Sequence, residues 1–247
     1  MEIIQGDALE KLKEMKTESV DLVLTDMPYN ITVCDWDKQP IDLDKLWEVL
    51  KFLGKDNTAY VFTASQPFTS KLVMSNLEWF KYEWIWEKNT TGFLNVKRMP
   101  MKNIENVLVF YQKQPTYNPQ ELKRLDKIII NHDSKARKEK TGKGITTHNG
   151  GRLKGDYLQE FCNYPRQSIK FSNDKGLHPT QKPIALMEYF IKTYTNEGDL
   201  VLDPFVGSGT TGVACKKLNR NFIGIELNSE YVKMAKERIK NTPEPFL

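Results

Sequence analysis

The stretch Asp203-Pro204-Phe205-Val206-Gly207-Ser208-Gly209-Thr210-Thr211 follows the apolar triplet Leu200-Val201-Leu202 and runs into Gly212-Val213-Ala214-Cys215. The triplet reads as a buried strand and residues 210–218 as a helix. A glycine-rich turn between a strand and a helix lets the backbone come close to a ligand. A second strand pattern, residues 222–225, ends at Glu226, where a carboxylate can accept from both hydroxyls of a ribose. The stretch Gly207-Ser208-Gly209-Thr210-Thr211-Gly212 also satisfies G-x-G-x-x-G, so the turn alone leaves a nicotinamide-dependent oxidoreductase open.

Working outward, strand and helix patterns alternate along the chain. Residues 2–5, 20–25, 58–63, 200–202 and 222–225 read as strands, and residues 8–15, 43–53, 68–76, 183–194, 210–218 and 229–239 as helices. Residues 82–86 and 106–111 are aromatic and β-branched runs that read as a hairpin-like pair. Trp84 and Trp86 flank Ile85, a spacing of sheet packing. Such alternation predicts an α/β fold, a mostly parallel sheet with helices on both faces. Ligands of these sheets bind beyond the carboxyl ends of the strands, where strand order reverses. Asp26-Met27-Pro28-Tyr29-Asn30, directly after the strand at 20–25, belongs to that same edge.

Composition permits this reading. The chain has 247 residues, 39% hydrophobic and 28% charged, ordinary for a globular protein with a sizeable core. No apolar run reaches membrane-spanning length, and Glu2-Ile3-Ile4 shows no signal-peptide pattern. Cys34, Cys162 and Cys215 are scattered, and His132, His148 and His178 lack ligand spacing, so no disulfide framework and no metal site is expected. A cytoplasmic setting fits. The net charge of +4 is uneven: residues 112–175 carry 14 Lys or Arg against 7 Asp or Glu. A basic segment on a near-neutral body suits a polyanion, although a solvated loop has the same composition.

Four motifs in order, Asp26 to Tyr29, His178-Pro179-Thr180-Gln181-Lys182-Pro183, residues 203–211 and Glu226, resemble the amino-methylating DNA methyltransferases that use S-adenosylmethionine. Their order is that of the β group, with the catalytic motif first, the target-recognition region in the middle and the cofactor motif last. The resemblance implies a Rossmann-like fold with a seven-stranded sheet. It divides the chain into a catalytic half, 1–111, a target-recognition region, 112–177, and a cofactor-binding half, 178–247. By resemblance Asp26, Met27, Pro28 and Tyr29 form the catalytic motif, with Met27 in place of the family's usual first proline. Asp7, Thr180, Lys182, Asp203, Phe205, Gly207, Ser208, Gly209, Thr210 and Glu226 would bind the cofactor. Asp7 also reads as a helix N-cap.

An amino group conjugated to a nucleobase is a poor nucleophile. Hydrogen bonds from it to the Asp26 carboxylate and to the Met27 carbonyl would return electron density to nitrogen and orient it for direct in-line transfer. Tyr29 would stack on the base once flipped from double-stranded DNA. Within the resembling family, Asp at this position goes with adenine N6 more than with cytosine N4. Carbon-5 methylation needs a Pro-Cys pair that the chain lacks. The basic segment would grip phosphates through Lys135, Arg137, Lys138, Lys140, Lys143, Arg152, Lys154 and Arg166. Restriction-modification, bacterial or phage, is a compatible setting, and the resemblance allows a homodimer. An inactive DNA-binding module and an RNA or protein acceptor are the other readings to separate.

Overall fold

The computed structural model describes residues 1–28, 41–89, 96–131, 157–172 and 181–244. In chain order the elements are β1 (Glu2–Gln5), α1 (Ala8–Lys13), β2 (Val20–Thr25), α2 (Leu43–Leu53), β3 (Gly54–Ala64), α3 (Phe68–Ser75), β4 (Phe80–Glu87), β5 (Ile104–Phe110), β6 (Lys123–Asn131), β7 (Tyr157–Cys162), β8 (Ser168–Lys170), α4 (Ile184–Tyr194), β9 (Leu200–Asp203), α5 (Thr210–Lys217), β10 (Asn221–Glu226) and α6 (Ser229–Asn241). The alternating elements expected from sequence are present, and β4 and β5 form the antiparallel pair expected of the two aromatic runs.

The strands are apolar at successive positions because both faces of the sheet are covered. Leu22 and Leu24 of β2, Ala59 and Val61 of β3, and Val107 and Val109 of β5 pack in one buried cluster with side chains of α4, α5 and α6. The intervening residues, Val23, Tyr60, Phe62, Leu108 and Phe110, pack with α1, α2 and α3 in the other. In α2 the buried positions Leu43, Leu46, Trp47, Leu50 and Leu53 follow helical spacing, and Asp42 caps the helix by accepting from Lys45 N–H. Trp84 and Trp86 lie in the core, as their alternation with Ile85 indicates.

The main sheet has the order β1-β10-β9-β2-β3-β5-β4-β8. Strands β1, β10, β9, β2 and β3 are mutually parallel, and β5 runs antiparallel to both neighbours. Among the described residues the sheet has eight strands, one more than the seven implied by resemblance. The additional strand, β8, pairs parallel to β4, with Ile85 N–H donating to the Gln167 carbonyl at 2.8 Å. It is the sequence Ser-Ile-Lys, too short and too polar to announce itself, and it covers an edge that would otherwise expose unpaired amides.

Two compact units divide the chain: residues 1–118 with 166–247, and residues 119–165. The second unit contains β6 and β7, paired antiparallel, with Asn163 Nδ2 donating to the Glu121 carbonyl at 2.8 Å. This pair was not expected from the sequence pattern; its strands flank the Lys-, Gly-, Asn- and Thr-rich stretch 135–154. Residues 132–156 lie outside the described residues.

The chain leaves β9 toward β10 on one side, whereas β2 leads to β3 on the other. Strand order therefore reverses between β9 and β2, and a crevice forms beyond their carboxyl ends.

Candidate active site

Because β2 and β9 are parallel neighbours, with Leu22 opposite Val201 and Val23 opposite Leu202, Asp26 and Asp203 emerge on the same edge of the sheet. One cavity of about 580 Å3 occupies that edge. Asp7, Asp26 and Pro28 line it from the amino-terminal part of the chain. Lys182, Asp203, Phe205, Gly207, Ser208, Thr210 and Glu226 line it from the carboxyl-terminal part. Residues 203 and 26 are thus brought together by the order of strands, with most of the chain between them in sequence. Tyr29, Thr180 and the basic residues Lys135, Arg137, Lys138, Lys140, Lys143, Arg152 and Lys154 lie outside the described residues; Arg166 is exposed.

Asp26 is held at both oxygens. Thr63 Oγ1, at the end of β3, donates to Oδ1 at 2.5 Å, and Lys182 Nζ donates to Oδ2 at 2.7 Å. The carboxylate remains 28% exposed, whereas the Lys182 side chain is only 8% exposed. Lys182, assigned to the cofactor by resemblance, lines the cavity and also has its ammonium on the Asp26 carboxylate. Burial opposes its charge, but Asp26 and Glu105 outweigh burial and hold the Lys182 pKa above the ordinary lysine value. The side chain of Met27 is buried in the core, so its contribution to the site is confined to the main chain.

Asp203 supports the cavity floor. Its carboxylate accepts from Thr25 Oγ1 at 2.5 Å, Thr211 Oγ1 at 2.7 Å and Phe205 N–H at 3.1 Å, tying β2, β9 and α5 together. Burial nevertheless pushes its carboxyl up to about 6 from the ordinary 3.8, against the pull of those donors. A raised carboxyl is more easily protonated in the folded state. Its contribution to stability is fully present below about pH 4 and is lost as pH rises through about 6. Asp203→Asn cannot ionise, so it should gain on the native protein between those limits by roughly 2–3 kcal/mol. Urea titrations of both proteins at about pH 4 and pH 7 measure this; a stability difference independent of pH would contradict it.

Glu226 ends β10 with each oxygen taking one backbone amide: Oε2 accepts from Gly207 N–H at 3.0 Å and Oε1 from Asn228 N–H at 2.8 Å. Each oxygen keeps acceptor capacity toward the cavity. Asp7 caps α1, accepting from Glu10 N–H at 3.1 Å, and it also lines the cavity.

The two turn glycines differ. Gly207, at φ +49°, has nothing within 4 Å of a built Cβ and lines the cavity. Gly209 does not line it; at φ +85° its missing Cβ faces Ala235 of α6 at 2.9 Å. The expectation that both admit a ligand is corrected: Gly209 admits a helix. Gly212, third in the pattern, meets Ile239 and Phe222 and serves helix packing likewise. Gly209→Ala should therefore lose about 1–3 kcal/mol of stability, while Gly207→Ala should mainly weaken cofactor binding. Parallel urea melts and cofactor titrations distinguish them; the reverse assignment of losses would refute the reading.

Sequence reasoning missed Thr63, Glu105 and Asn228. Thr63 carries only one signal, its position at the end of a parallel strand, and Glu105 none, since its strand was read as packing. Burial pushes the Cys215 thiol well above its usual range, which suits a core position and not a nucleophile. Among the described residues no group of three or more His, Cys, Asp or Glu could hold a metal ion, and no helix is long and apolar enough to cross a membrane.

The comparisons with known proteins agree with this geometry. Residues 20–237 match the N6/N4 methyltransferase family, described as DNA methylase. The chain belongs to that family. It is 33% identical to the type II methyltransferase M1.MboII of Moraxella bovis, over 94% of this chain and 94% of the relative. It is 32% identical to the DNA adenine methyltransferase YhdJ of Escherichia coli K12, over 96% and 82%. The solved complex of M1.HpyAVI with S-adenosylmethionine superposes with a TM-score of 0.65 at 31% identity, covering 96% of this chain and 98% of the other. Membership removes the nicotinamide reading of the glycine turn, whose second and third glycines here serve packing.

Proposed function

We propose that this methylase transfers the methyl group of S-adenosylmethionine to the exocyclic N6 of an adenine flipped out of double-stranded DNA. The observation that carries the reading is the single cavity that joins Asp26 to the turn at 203–211 and to Glu226. Its size falls within the range of ordinary small-molecule sites.

The residues present fit the cofactor. Glu226 offers two anionic acceptors to a pair of ribose hydroxyls, Asp7 faces the cavity as an acceptor for an adenine amino group, and Gly207 leaves backbone accessible where a side chain would intrude. When bound, S-adenosylmethionine supplies a methyl group activated by positive sulfur. Asp26 accepts from the amino group of the base, returns electron density to its nitrogen and stabilises the positive charge that develops there. Thr63 and Lys182 keep the carboxylate from rotating, so the acceptor is in place before the base arrives. Pro28 constrains the turn after β2, and Tyr29 stacks on the flipped base, a contact of about 1–3 kcal/mol.

Adenine is favoured by Asp at position 26 and by the name of the relative YhdJ. The basic residues of 112–177 neutralise phosphates, giving binding that weakens with salt, while recognition of sequence falls to side chains of that region that reach base edges. The cytoplasm of a bacterial cell is the corresponding setting. Nucleoside mass spectrometry of DNA incubated with the protein and S-adenosylmethionine tests the reading. N6-methyladenine is expected; N4-methylcytosine instead overturns the choice of base, and no methylated nucleoside overturns the activity.

A further inference from the structure

Lys88 follows β4, Glu105 lies near the start of β5, Lys182 precedes α4, and Asp26 follows β2. These four side chains form a chain of alternating charge along the carboxyl edge of the sheet. Lys88 pairs with Glu105 Oε1, Lys182 Nζ lies 3.5 Å from Glu105 Oε2, and Lys182 Nζ donates to Asp26 at 2.7 Å. Exposure falls inward, from 20% at Lys88 to 12% at Glu105 and 8% at Lys182, then rises to 28% at Asp26 on the cavity. Glu105 Oε2 is buried and makes no hydrogen bond among the described residues, so its environment is set by the lysine beside it.

The Glu105 side chain is 12% exposed and its Oε2 is buried, so the carboxylate is costly there unless it is paired with a cation. It faces two cations, Lys88 at its outer oxygen and Lys182 at its buried one, and Lys182 alone would be poorly solvated in its position. We propose that Glu105 is a positioning residue for methyl transfer: acting through Lys182, it keeps the ammonium charged and fixed against Asp26, so that Asp26 meets the base as an oriented anion. Lys88 neutralises the outer oxygen of Glu105, and the four charges sum to zero. That balance matters to the reaction. An unopposed Lys182 cation would repel the positive charge growing on the target nitrogen, and Glu105 offsets it. Among the described residues Asp203 is a further acid near this group, and its charge interacts unfavourably with that of Asp26. Lys182 therefore sets a positive charge against Asp26 beside a second carboxylate.

This inference rests on the methyl-transfer reading above, and native protein is the control for that reading. The measurement is single-turnover methylation of DNA by native protein, Glu105→Gln, Lys182→Met and the double variant across pH, with cofactor affinity measured for each. In Glu105→Gln the rate should fall about 10- to 100-fold, and its alkaline limb should move down by about 1–3 pH units as Lys182 loses a counter-ion. Cofactor affinity should stay within about threefold, because Glu105 does not line the cavity. In Lys182→Met the acid limb should move up. The double variant should be no slower than Lys182→Met, since Glu105 acts only through the lysine it would no longer have. An unshifted profile in Glu105→Gln, a loss of cofactor affinity matching the loss of rate, or multiplicative losses in the double variant overturns the proposal. If Glu105→Gln does not fold, the double variant, which removes one charge of each sign, still decides by comparison with Lys182→Met. Inactive native protein would instead overturn the parent reading.

Discussion

Asp26→Ala is expected to lower the rate of methyl transfer by at least about 10²–10³-fold, the range seen when a preorganised group that stabilises transition-state charge is removed, while leaving cofactor affinity within about threefold. The loss follows from the position of the carboxylate. It lies on the cavity with its oxygens held by Thr63 and Lys182, and no neighbouring described carboxylate can replace it. Asp203 is committed to Thr25, Thr211 and the Phe205 amide, and Glu105 is buried behind Lys182. Asp26→Asn is the sharper version. Lys182 can only donate, so the amide oxygen must turn to it. The amide nitrogen is then left toward Thr63, whose hydroxyl can reverse and accept. Shape and packing persist while the anionic acceptor is lost, so the rate should fall nearly as far as in Asp26→Ala with less loss of stability. Single-turnover assays and isothermal titration with S-adenosylmethionine make the separation. Activity within tenfold of native in both variants would remove Asp26 from the chemistry.

The second large effect belongs to Glu226. Its two oxygens each accept one backbone amide and are proposed to accept one ribose hydroxyl each. Two charge-assisted hydrogen bonds at about 1.5–3 kcal/mol apiece correspond to at least about a 100-fold increase in the dissociation constant of S-adenosylmethionine in Glu226→Ala. The same substitution frees the amides of Gly207 and Asn228, so the turn after β9 also loses its anchor to β10. Glu226→Gln separates the two effects. Its amide retains one acceptor, so affinity should lie between native and Glu226→Ala. Titration calorimetry measures all three, and a dissociation constant for Glu226→Ala within threefold of native would remove the ribose contact from the site. Lys182→Met is a useful contrast, since its effect is expected on rate and pH dependence instead of on affinity.

Much of the fold could be read from residue pattern because the determining interactions are local. Both faces of the sheet are covered, so residues 22–25 and 58–63 appear as unbroken apolar and β-branched runs. Helix α2 shows its buried stripe at a spacing of three and four, and the turn at 203–211 needs glycine where φ is positive. These are properties of neighbours in the chain. The edge strand β8 escaped because it is three residues long and mostly polar, and β6 and β7 because they are far apart in sequence, on either side of a Lys-, Gly-, Asn- and Thr-rich stretch. Each is completed by the partner strand it found.

The site divides along the same line. Asp26, Glu226, Asp7 and Gly207 were recognisable as chemistry-bearing residues at strand ends, where a loop must present something to the edge of the sheet. What each one touches was a matter of tertiary structure. Strand order put β2 beside β9, and so Asp26 beside the glycine turn 177 residues later. It also turned Gly209 toward α6, placed the Lys182 ammonium on Asp26, and set Glu105 behind Lys182. The sequence by itself determined the alternation of strands and helices, the glycine turn and the residue types available for methyl transfer, because these depend on periodicity and on backbone conformation within a few residues. Only the tertiary structure decided which charges face one another. A hydrogen bond or ion pair depends on separations of about 3 Å, and distance along the chain carries no information about separations of that size between distant strands.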